Sequence, residues 1–337
     1  MDDQPPAEAI RLFNGFRGFQ LVVAACRLKL PDLVAAGHAD ADELAALTET
    51  HPDALRRMLR GLVTWGFFTQ DADRRYAATP VSDTFRADRP GLRNITLMIS
   101  DEGYRVWGDL MYTLKTGEPA FEHVYGVNRW QKMADDPEEA ALFNAGMVET
   151  TTRVARDFIK HYDFTGVDTA VDVAGGNGAL LAAVLTAHPS MKGVLFDLAA
   201  GLAGASERMS AAELDGRVTY VEGSFFESIP RSGDLYLLKS IIHDWGDARA
   251  AAILVTCRQA MGPSARLVLI ERYLPDQVDS PASALGPVMS DLHMMVALGG
   301  RERTTEEYAS LLAAARLRMT RPITMDSDFY AIEAVPD

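Results

Sequence analysis

The stretch Val171-Asp172-Val173-Ala174-Gly175-Gly176-Asn177-Gly178 decides the fold of this chain, because a short apolar strand breaks there into a glycine-rich turn. An apolar, helix-like segment, residues 179–185, follows directly. Glycine adopts backbone angles that other residues avoid, and it lets the backbone approach a ligand closely. A strand, a glycine turn and a helix in this order predict the first unit of a nucleotide-binding α/β fold.

Asp197 ends the next apolar run, Val194-Leu195-Phe196. A carboxylate at the end of the second strand can accept hydrogen bonds from two ribose hydroxyls. The dinucleotide fingerprint G-x-G-x-x-G is not matched, because counting from Gly176 and Gly178 places Leu181 where the third glycine belongs. The spacing therefore favours a nucleoside cofactor other than NAD, and a tight connection without any ligand stays open at this point.

Composition and charge limit the classes of function. The chain has 337 residues, of which 48% are hydrophobic, and this is enough for two domains with cores of their own. Lys and Arg total 33 against 47 Asp and Glu, so the formal charge is −14. This acidic balance speaks against a nucleic-acid partner or an anionic membrane surface.

The cysteines and the first residues lead us to expect a cytoplasmic protein. Cys26 and Cys257 lie far apart and show no metal-ligand spacing, so we interpret both as small core residues in a reducing compartment. Residues 1–6 are acidic and polar, unlike a signal peptide. No apolar stretch approaches the roughly 18 residues that a membrane span requires.

Residues up to about 100 are predicted to be mostly helical. One amphipathic segment carries apolar residues at the spacing of a buried helical stripe: Leu55, Met58, Leu59, Leu62 and Val63. Short apolar runs that begin at Phe67 and Tyr76 predict a hairpin, and helices followed by a hairpin resemble a winged helix. A DNA-binding regulator is therefore an alternative. However, residues 1–100 hold 12 Lys and Arg against 13 Asp and Glu, without the positive excess of a duplex-binding face.

Beyond Thr169, apolar runs alternate with helical segments. Strands are predicted near residues 169–174, 192–197, 217–222, 234–239 and 265–271. This alternation predicts a parallel sheet covered on both faces. Thr304 and Glu307 predict a capping box for a helix that runs to about Leu317, and stretches around Ile323 and over 329–335 are predicted to pair as a hairpin.

Three residues are candidates for acid–base chemistry. His243 follows the strand segment 234–239, at the carboxyl edge where α/β sheets bind ligands. Histidine is the side chain best suited to take a proton near neutral pH. Glu271 ends the apolar strand 266–270, and Glu302 lies in the segment 299–304. Taken singly, each has an ordinary structural explanation: a packed histidine, a strand-end residue and a surface charge.

Together these motifs resemble one family over nearly the whole chain, the plant-type and bacterial small-molecule O-methyltransferases, such as the caffeate, carminomycin and phenazine enzymes. The resemblance rests on six segments: 172–178, 196–198, 222–226, 238–245, 270–272 and 299–304. It implies an α/β, Rossmann-like methyltransferase domain over 166–337. It also implies an N-terminal, mostly helical, winged-helix-like dimerisation domain over 1–100, and a helical linker over 101–165 that contributes to the substrate pocket.

The resemblance also implies the chemistry and its residues. A methyl group would pass from S-adenosylmethionine, leaving S-adenosylhomocysteine, to a hydroxyl of an aromatic small molecule in natural-product biosynthesis, without a metal. His243 matches the family's general base, and Glu271 and Glu302 match the acids that orient it. The implied cofactor-binding residues are Asp172, Gly175, Gly176, Gly178, Asp197, Leu198, Ser224, Phe225 and Lys239. The implied substrate-binding residues are Trp107, Phe143, Met147, Asp244, Asp291 and Met294.

Two positions depart from the family pattern, and several alternatives stay open. Ser224 stands where the family usually has Asp, and Ala174 stands where it has a third glycine. A neutral hydroxyl is a weaker acceptor than a carboxylate, so we expect either that the cofactor affinity is lower or that another group contributes. Methylation at carbon or nitrogen, and a homologue that binds the cofactor without transferring its methyl group, are the alternatives on the same scaffold. The expected partners are an aromatic acceptor and a second copy in a homodimer, with no nucleic acid and no membrane.

Overall fold

A computed structural model describes residues 6–337 as two compact units. The first unit comprises the chain up to Tyr104 together with Ala141–Glu149, and the second comprises Arg105–Ala140 and Thr150–Asp337. Residues 1–5, on which the prediction about a signal peptide mainly rests, lie outside the described residues. Among the residues described, no helix is both long enough and apolar enough to span a membrane.

The first unit is mostly helical, as predicted. Its α-helices are Ala7–Phe13 (α1), Gly15–Arg27 (α2), Leu30–Ala35 (α3), Ala41–Leu47 (α4), Pro52–Thr64 (α5), Pro80–Asp83 (α6) and Arg93–Met98 (α7), followed by a π-helical turn, Ile99–Gly103. The predicted stripe forms the inner face of α5, where Leu55, Leu59 and Leu62 are buried while Arg57 and Arg60 stay exposed. Burial of one apolar face thus stabilises a helix too short to persist alone.

The predicted hairpin is also present in the first unit. Strands Phe68–Gln70 (β1) and Tyr76–Ala78 (β2) pair antiparallel, with Phe68 opposite Ala78. Phe67, Phe68 and Tyr76 are buried in one cluster with the apolar residues of α5. The helices and the hairpin therefore share a single core, as the winged-helix-like prediction requires.

In the second unit, helices precede a large sheet. These helices are Tyr104–Gly108 (α8), Leu110–Thr116 (α9), Ala120–Tyr125 (α10), Arg129–Asp135 (α11) and Pro137–His161 (α12). Tyr104 of α8 and residues 141–149 of α12 belong to the first unit, so α12 contributes to both units. Val106, Ala120 and Phe121 are buried together with Val296 from later in the chain.

Seven strands form the sheet of the second unit in the order β5-β4-β3-β6-β7-β9-β8. They are Thr169–Val173 (β3), Lys192–Asp197 (β4), Val218–Glu222 (β5), Leu235–Lys239 (β6), Arg266–Arg272 (β7), Leu317–Thr324 (β8) and Phe329–Pro336 (β9). The five predicted strands β3 to β7 are confirmed, and they pair parallel. The order in which strands are added to the sheet reverses between β3 and β6, and such a switch point is where α/β sheets bind ligands.

Helices cover both faces of this sheet. They are α12, Ala179–Ala187 (α13), Ala205–Ala211 (α14), Asp247–Ala260 (α15) and Thr305–Ala314 (α17), whereas Pro281–Ala297 (α16) packs with α9 and α10. Phe158, Leu181 and Met209 are buried on one face, whereas Leu254 and Leu312 are buried on the other. The predicted doubly covered sheet is thereby confirmed.

The end of the chain differs from the prediction in two details. The capping box of Thr304 and Glu307 is present, but α17 ends at Ala314 rather than near Leu317. The helix stops because Arg316 adopts a left-handed backbone angle, φ 56°, and Leu317 already begins β8. The predicted hairpin of β8 and β9 is confirmed, and β9 also pairs antiparallel with β7, so the sheet is mixed rather than wholly parallel.

Candidate active site

The glycine turn after β3 has two kinds of tight position. Ala174, Gly176 and Gly178 adopt left-handed backbone angles, with φ of 56°, 57° and 78°. Gly175 does not, but a Cβ added there would lie 2.6 Å from the side chains of Asp172 and Leu195. Gly175 is therefore required by close approach, whereas Ala174 occupies a conformation that favours glycine, at a cost of about 1 kcal/mol.

Asp197 ends β4 beside this turn. Its Oδ2 accepts a hydrogen bond from the backbone N–H of Gly176 at 2.8 Å, and its Oδ1 accepts one from Leu198 at 2.6 Å. Each carboxylate oxygen keeps a further lone pair for another donor. Burial raises the pKa of Asp197 against the effect of these two hydrogen bonds. The carboxylate thus links the turn to β4 and can still accept from ribose hydroxyls.

Asp172 lies beneath the turn and has an unsatisfied oxygen. It is buried, and its Oδ2 has no hydrogen-bond partner. Burial raises the pKa of this carboxyl to about 7. A buried carboxylate without a donor is costly, so either a proton on this carboxyl or a donor that a ligand brings to the turn would stabilise it. The α-amino group of S-adenosylmethionine is such a donor, and the residues present therefore fit this cofactor.

Ser224 and Phe225 lie just after β5, on the other side of Asp197 in the sheet order. The Oγ of Ser224 accepts from the backbone N–H of Phe226 at 3.3 Å, which leaves its hydroxyl hydrogen free to rotate toward another acceptor. The Phe225 ring packs edge-on against Phe226, with centroids 4.8 Å apart, and both rings pack edge-on against Trp245. An aromatic wall therefore stands next to the predicted adenine position.

Lys239 ends β6, the strand that pairs with β3 on its other side. Burial lowers the pKa of its ammonium to about 8, although Glu271, Asp172 and Asp244 favour the charged form. The structure therefore brings the predicted cofactor residues together around the carboxyl ends of β3 to β6.

His243 is carried by a short loop immediately after β6. Ser240 takes a left-handed angle, φ 55°, and residues Ile242–Asp244 then form one turn of 3-10 helix. His243 is buried on that turn. The strained Ser240 turns the chain sharply, so that the imidazole returns over the end of β7, where Glu271 lies.

The two acids contact this imidazole unequally. Nδ1 of His243 lies 2.8 Å from Oε1 of Glu302 but 3.7 Å from Oε2 of Glu271. Oε1 of Glu271 accepts instead from the backbone N–H groups of Ile241 and Ile242, at 3.0 and 2.8 Å. Glu302 therefore accepts the Nδ1–H of His243, while Glu271 fixes the backbone that carries it.

Charge around His243 changes its acidity. Burial disfavours the imidazolium, but Glu302 and then Glu271 outweigh this effect and raise the pKa of His243 to about 9. Burial raises the pKa of Glu271. For Glu302 burial acts in the same direction, but the charge of His243 and its hydrogen bond outweigh it, so the pKa of Glu302 is lowered. The cluster thus consists of an ionised Glu302 paired with a strongly basic histidine.

The same three side chains have the spacing of a metal-ligand set. One ligand atom from each of His243, Glu271 and Glu302 lies within 4.8 Å of the other two. Within this set, Nδ1 of His243 already donates to Oε1 of Glu302. The cluster therefore contains a histidine–carboxylate hydrogen bond in a group of residues that could also hold a metal.

Ser290 and Arg303 also support this site, although neither belongs to a predicted set of site residues. The hydroxyl of Ser290 donates to Oε1 of Glu302 at 2.6 Å. Arg303 is 1% exposed, and its guanidinium donates to the backbone carbonyls of Ile242 and Trp245 at 3.1 and 2.8 Å. Arg303 therefore ties down the His243 loop; the only signal for it in the sequence was its place beside Glu302.

The predicted substrate residues do not all adjoin the histidine. Oδ1 of Asp244 lies 3.4 Å from Nε2 of His243, and burial raises the pKa of this carboxyl to about 7. Asp291 accepts the backbone N–H of Glu302 at 2.9 Å, so it supports an acid of the site. Met294 is buried on α16.

The remaining predicted substrate residues lie on earlier helices. The indole N–H of Trp107, on α8, donates a hydrogen bond to Nδ1 of His293 at 3.1 Å. Phe143 and Met147 lie in the part of α12 that belongs to the first unit.

Comparisons with known proteins agree with this arrangement. A family model described as an O-methyltransferase domain matches residues 107–318, and a model described as an O-methyltransferase dimerisation domain matches residues 10–88. O-demethylpuromycin-O-methyltransferase of Streptomyces alboniger is 39% identical over 332 residues, which are 97% of this chain and 88% of that protein.

Two solved structures are similar throughout. The crystal structure of LaPhzM has a TM-score of 0.92 at 33% identity and covers 99% of this chain and 100% of its own. The O-methyltransferase NcsB1 from neocarzinostatin biosynthesis was solved with S-adenosylmethionine and 2-hydroxy-5-methyl naphthoic acid. Its TM-score is 0.82 at 32% identity, with 95% of this chain and 96% of its own covered.

Proposed function

The chain belongs to the O-methyltransferase family, and on that premise we propose that it methylates a hydroxyl of an aromatic natural-product precursor, with His243 as the general base and without a metal. Its family makes it an enzyme that uses S-adenosylmethionine. The observation that carries the proposal for His243 is the buried hydrogen bond between its Nδ1 and Glu302, at 2.8 Å.

The residues around the glycine turn would hold the cofactor. Gly175, Gly176, Gly178 and Asp172 fit its methionine part, and Asp197 fits its ribose. Leu198, Ser224 and Phe225 would flank the adenine, with Lys239 nearby. When bound, S-adenosylmethionine supplies a methyl carbon that is already activated by a sulfonium, and the sulfur becomes a thioether. The protein then has to align the acceptor oxygen and remove one proton.

His243 would take that proton at Nε2. The hydrogen bond to Glu302 places the other proton on Nδ1, so the lone pair of the neutral ring lies on Nε2. With the pKa of His243 raised to about 9, accepting a proton from a phenol of ordinary acidity costs about 1 kcal/mol. With an unperturbed histidine the same transfer would cost about 5 kcal/mol. Glu302 thus supplies charge stabilisation for the imidazolium as well as orientation.

The hydrogen bonds of this cluster support the proposal that the enzyme works without a metal. A metal bound by all three side chains would have to displace the bond between Nδ1 of His243 and Glu302, or the two backbone bonds to Glu271. A sulfonium leaving group also needs no Lewis acid. Dialysis against EDTA is therefore expected to leave the rate of methyl transfer unchanged. A loss that added Zn²⁺ or Mg²⁺ restores would contradict this part of the proposal.

The acceptor is proposed from the relatives and the site together. The named acceptors of the relatives include O-demethylpuromycin, and NcsB1 was solved with a hydroxynaphthoic acid. In this chain, Trp107, Asp244, Asp291 and Met294 are proposed to contact or position the acceptor. Phe143 and Met147 remain predictions from the resemblance, as do the boundaries at residues 100 and 165. The matched dimerisation domain supports a homodimer, and we place the enzyme in the cytoplasm.

Calorimetric titration with S-adenosylhomocysteine tests the cofactor site without an acceptor. One site per chain is expected, and Asp197→Ala is expected to abolish binding, whereas His243→Asn is expected to leave it intact. A screen of hydroxylated aromatics with methyl-labelled S-adenosylmethionine then follows, with the position of the label identified in each product. Labelled N-methyl or C-methyl products alone would contradict O-methylation, and an absence of any binding would contradict the whole proposal.

A further inference from the structure

His293 is a half-buried polar residue that the mechanism leaves unused. It lies on α16 in the second unit, one helical turn after Ser290, whose hydroxyl contacts Glu302. The only polar atom of Trp107, the indole N–H, donates to Nδ1 of His293 at 3.1 Å. Trp107, which was predicted to contact the substrate, therefore offers a ligand only the surface of its ring. A polar contact to the ligand would come from His293 instead.

The hydrogen bond from Trp107 also fixes the protonation of the ring. Nδ1 accepts, so in the neutral imidazole the hydrogen must be on Nε2. Burial, with the positive charges of Arg129 and His243, lowers the pKa of His293 to about 4. The ring is therefore neutral under ordinary conditions and is a hydrogen-bond donor at one atom only.

This donor is available. Among the residues that the structure describes, no hydrogen bond uses Nε2 of His293, and this atom is not sealed from solvent. The side chain is half-buried rather than sealed in the core. It lies one helical turn from Ser290, which donates to the same Glu302 oxygen that pairs with Nδ1 of His243. A fixed N–H donor is thus exposed near the proposed base.

We propose that His293 is a specificity-determining residue, which donates its Nε2–H to a carbonyl or carboxylate oxygen on the acceptor, next to the hydroxyl that is methylated. This inference rests on the proposed function and narrows it to a class of acceptor. A hydroxylated aromatic with such an oxygen on a neighbouring carbon can engage both histidines at once. One without it leaves the Nε2–H of His293 unpaired, and that costs binding in the transition state.

A pair of matched acceptors tests the proposal. The measured quantity is the ratio of kcat/KM for 3-hydroxy-2-naphthoic acid to kcat/KM for 2-naphthol, compared between enzymes because the carboxylate also changes the acidity of the neighbouring hydroxyl. This ratio is expected to fall about tenfold from wild type to His293→Leu, the size of one hydrogen bond to a charged group. In His293→Gln, which retains an N–H donor, the wild-type ratio is expected to be partly kept. Affinity for S-adenosylhomocysteine, measured by calorimetry, should be unchanged in both variants.

A spectroscopic measurement makes the test independent of turnover. Nitrogen NMR of the labelled imidazole is expected to show the neutral Nε2–H form of His293 at pH 7, with that preference weakened in Trp107→Phe. A ring protonated on Nδ1 would overturn the inference. So would methylation of both acceptors with a ratio that His293→Leu does not change. Failure to methylate any hydroxylated aromatic, despite cofactor binding, would instead overturn the proposed function on which the inference rests.

Discussion

Replacement of Glu302 by Gln is expected to move the pH dependence of methyl transfer. The carboxylate of Glu302 lies 2.8 Å from Nδ1 of His243 and is the largest favourable influence on its imidazolium. Gln keeps an amide oxygen at this position, and Ser290 can still donate to it. The substitution therefore removes a negative charge while it preserves an acceptor for Nδ1–H.

The size of the effect follows from the pKa of His243. In the wild type the pKa is raised to about 9, so the free enzyme holds the imidazole mostly charged below that pH. The rate at low acceptor concentration should therefore rise with pH and level off near pH 9. Without the charge of Glu302, burial returns the pKa toward the ordinary value of about 6.5, and the rising limb moves down by about two pH units.

At high pH, kcat/KM of Glu302→Gln should also level off at a lower value than in the wild type, because a weaker base takes the proton less readily. We expect a loss of about tenfold to a hundredfold at pH 9 and a much smaller loss at pH 7, where most wild-type enzyme is still protonated. The assay is kcat/KM for one phenolic acceptor from pH 6 to 10 at saturating cofactor. NMR of the imidazole nitrogens, measured without acceptor, gives the pKa of His243 directly.

Glu271→Gln is the matched control for this prediction. Oε2 of Glu271 lies 3.7 Å from Nδ1 and makes no hydrogen bond to it, and the amide oxygen of Gln can still accept from the backbone. The rising part of the pH profile of kcat/KM should therefore move less in Glu271→Gln than in Glu302→Gln. The assignment of Glu302 as the paired acid would be refuted if the pH profile of Glu302→Gln matched that of the wild type. It would also be refuted if the profile moved more in Glu271→Gln than in Glu302→Gln.

Three further predictions concern stability and the cofactor. Ala174→Gly relieves a left-handed backbone angle, so it should stabilise the fold by up to about 1 kcal/mol in urea unfolding; a loss of that size would contradict the strain. Arg303→Met leaves carbonyls of the His243 loop without donors and should cost about 3 kcal/mol, whereas Arg301→Met, which removes a half-exposed side chain, should cost under about 1 kcal/mol; equal losses would argue against the loop contact. Ser224→Asp should tighten S-adenosylhomocysteine binding by about tenfold in calorimetry; weaker binding would show that Ser224 does not face the adenine.

Much of the fold was predictable from local patterns in the sequence. The strand, turn and helix from Val171 onward, the capping box at Thr304 and the stripe on α5 each depend on neighbours in sequence, and the structure has all three. The insertion of β9 between β7 and β8 was not predictable in the same way, because it depends on pairing between distant segments. The left-handed angle of Ala174 was also missed, since glycine was expected to take such angles.

The site was predictable in its members but not in its geometry. His243, Glu271 and Glu302 were grouped by resemblance, and the structure brings them together. That only Glu302 bonds to the imidazole, while Glu271 holds the backbone, depends on distances of a few tenths of an ångström that no spacing in the sequence encodes. The donor from Ser290 arises from tertiary contact alone.

The most direct test of the account is methyl transfer by His243→Asn with the wild type beside it. The Asn side chain retains an N–H donor for Glu302 but lacks the atom that would receive the proton from the acceptor. With a weakly acidic phenol, turnover should fall about 10²-fold to 10⁴-fold while S-adenosylhomocysteine binds with unchanged affinity. Unchanged turnover with that phenol would contradict the account, because the proton would then leave by a route that does not involve His243.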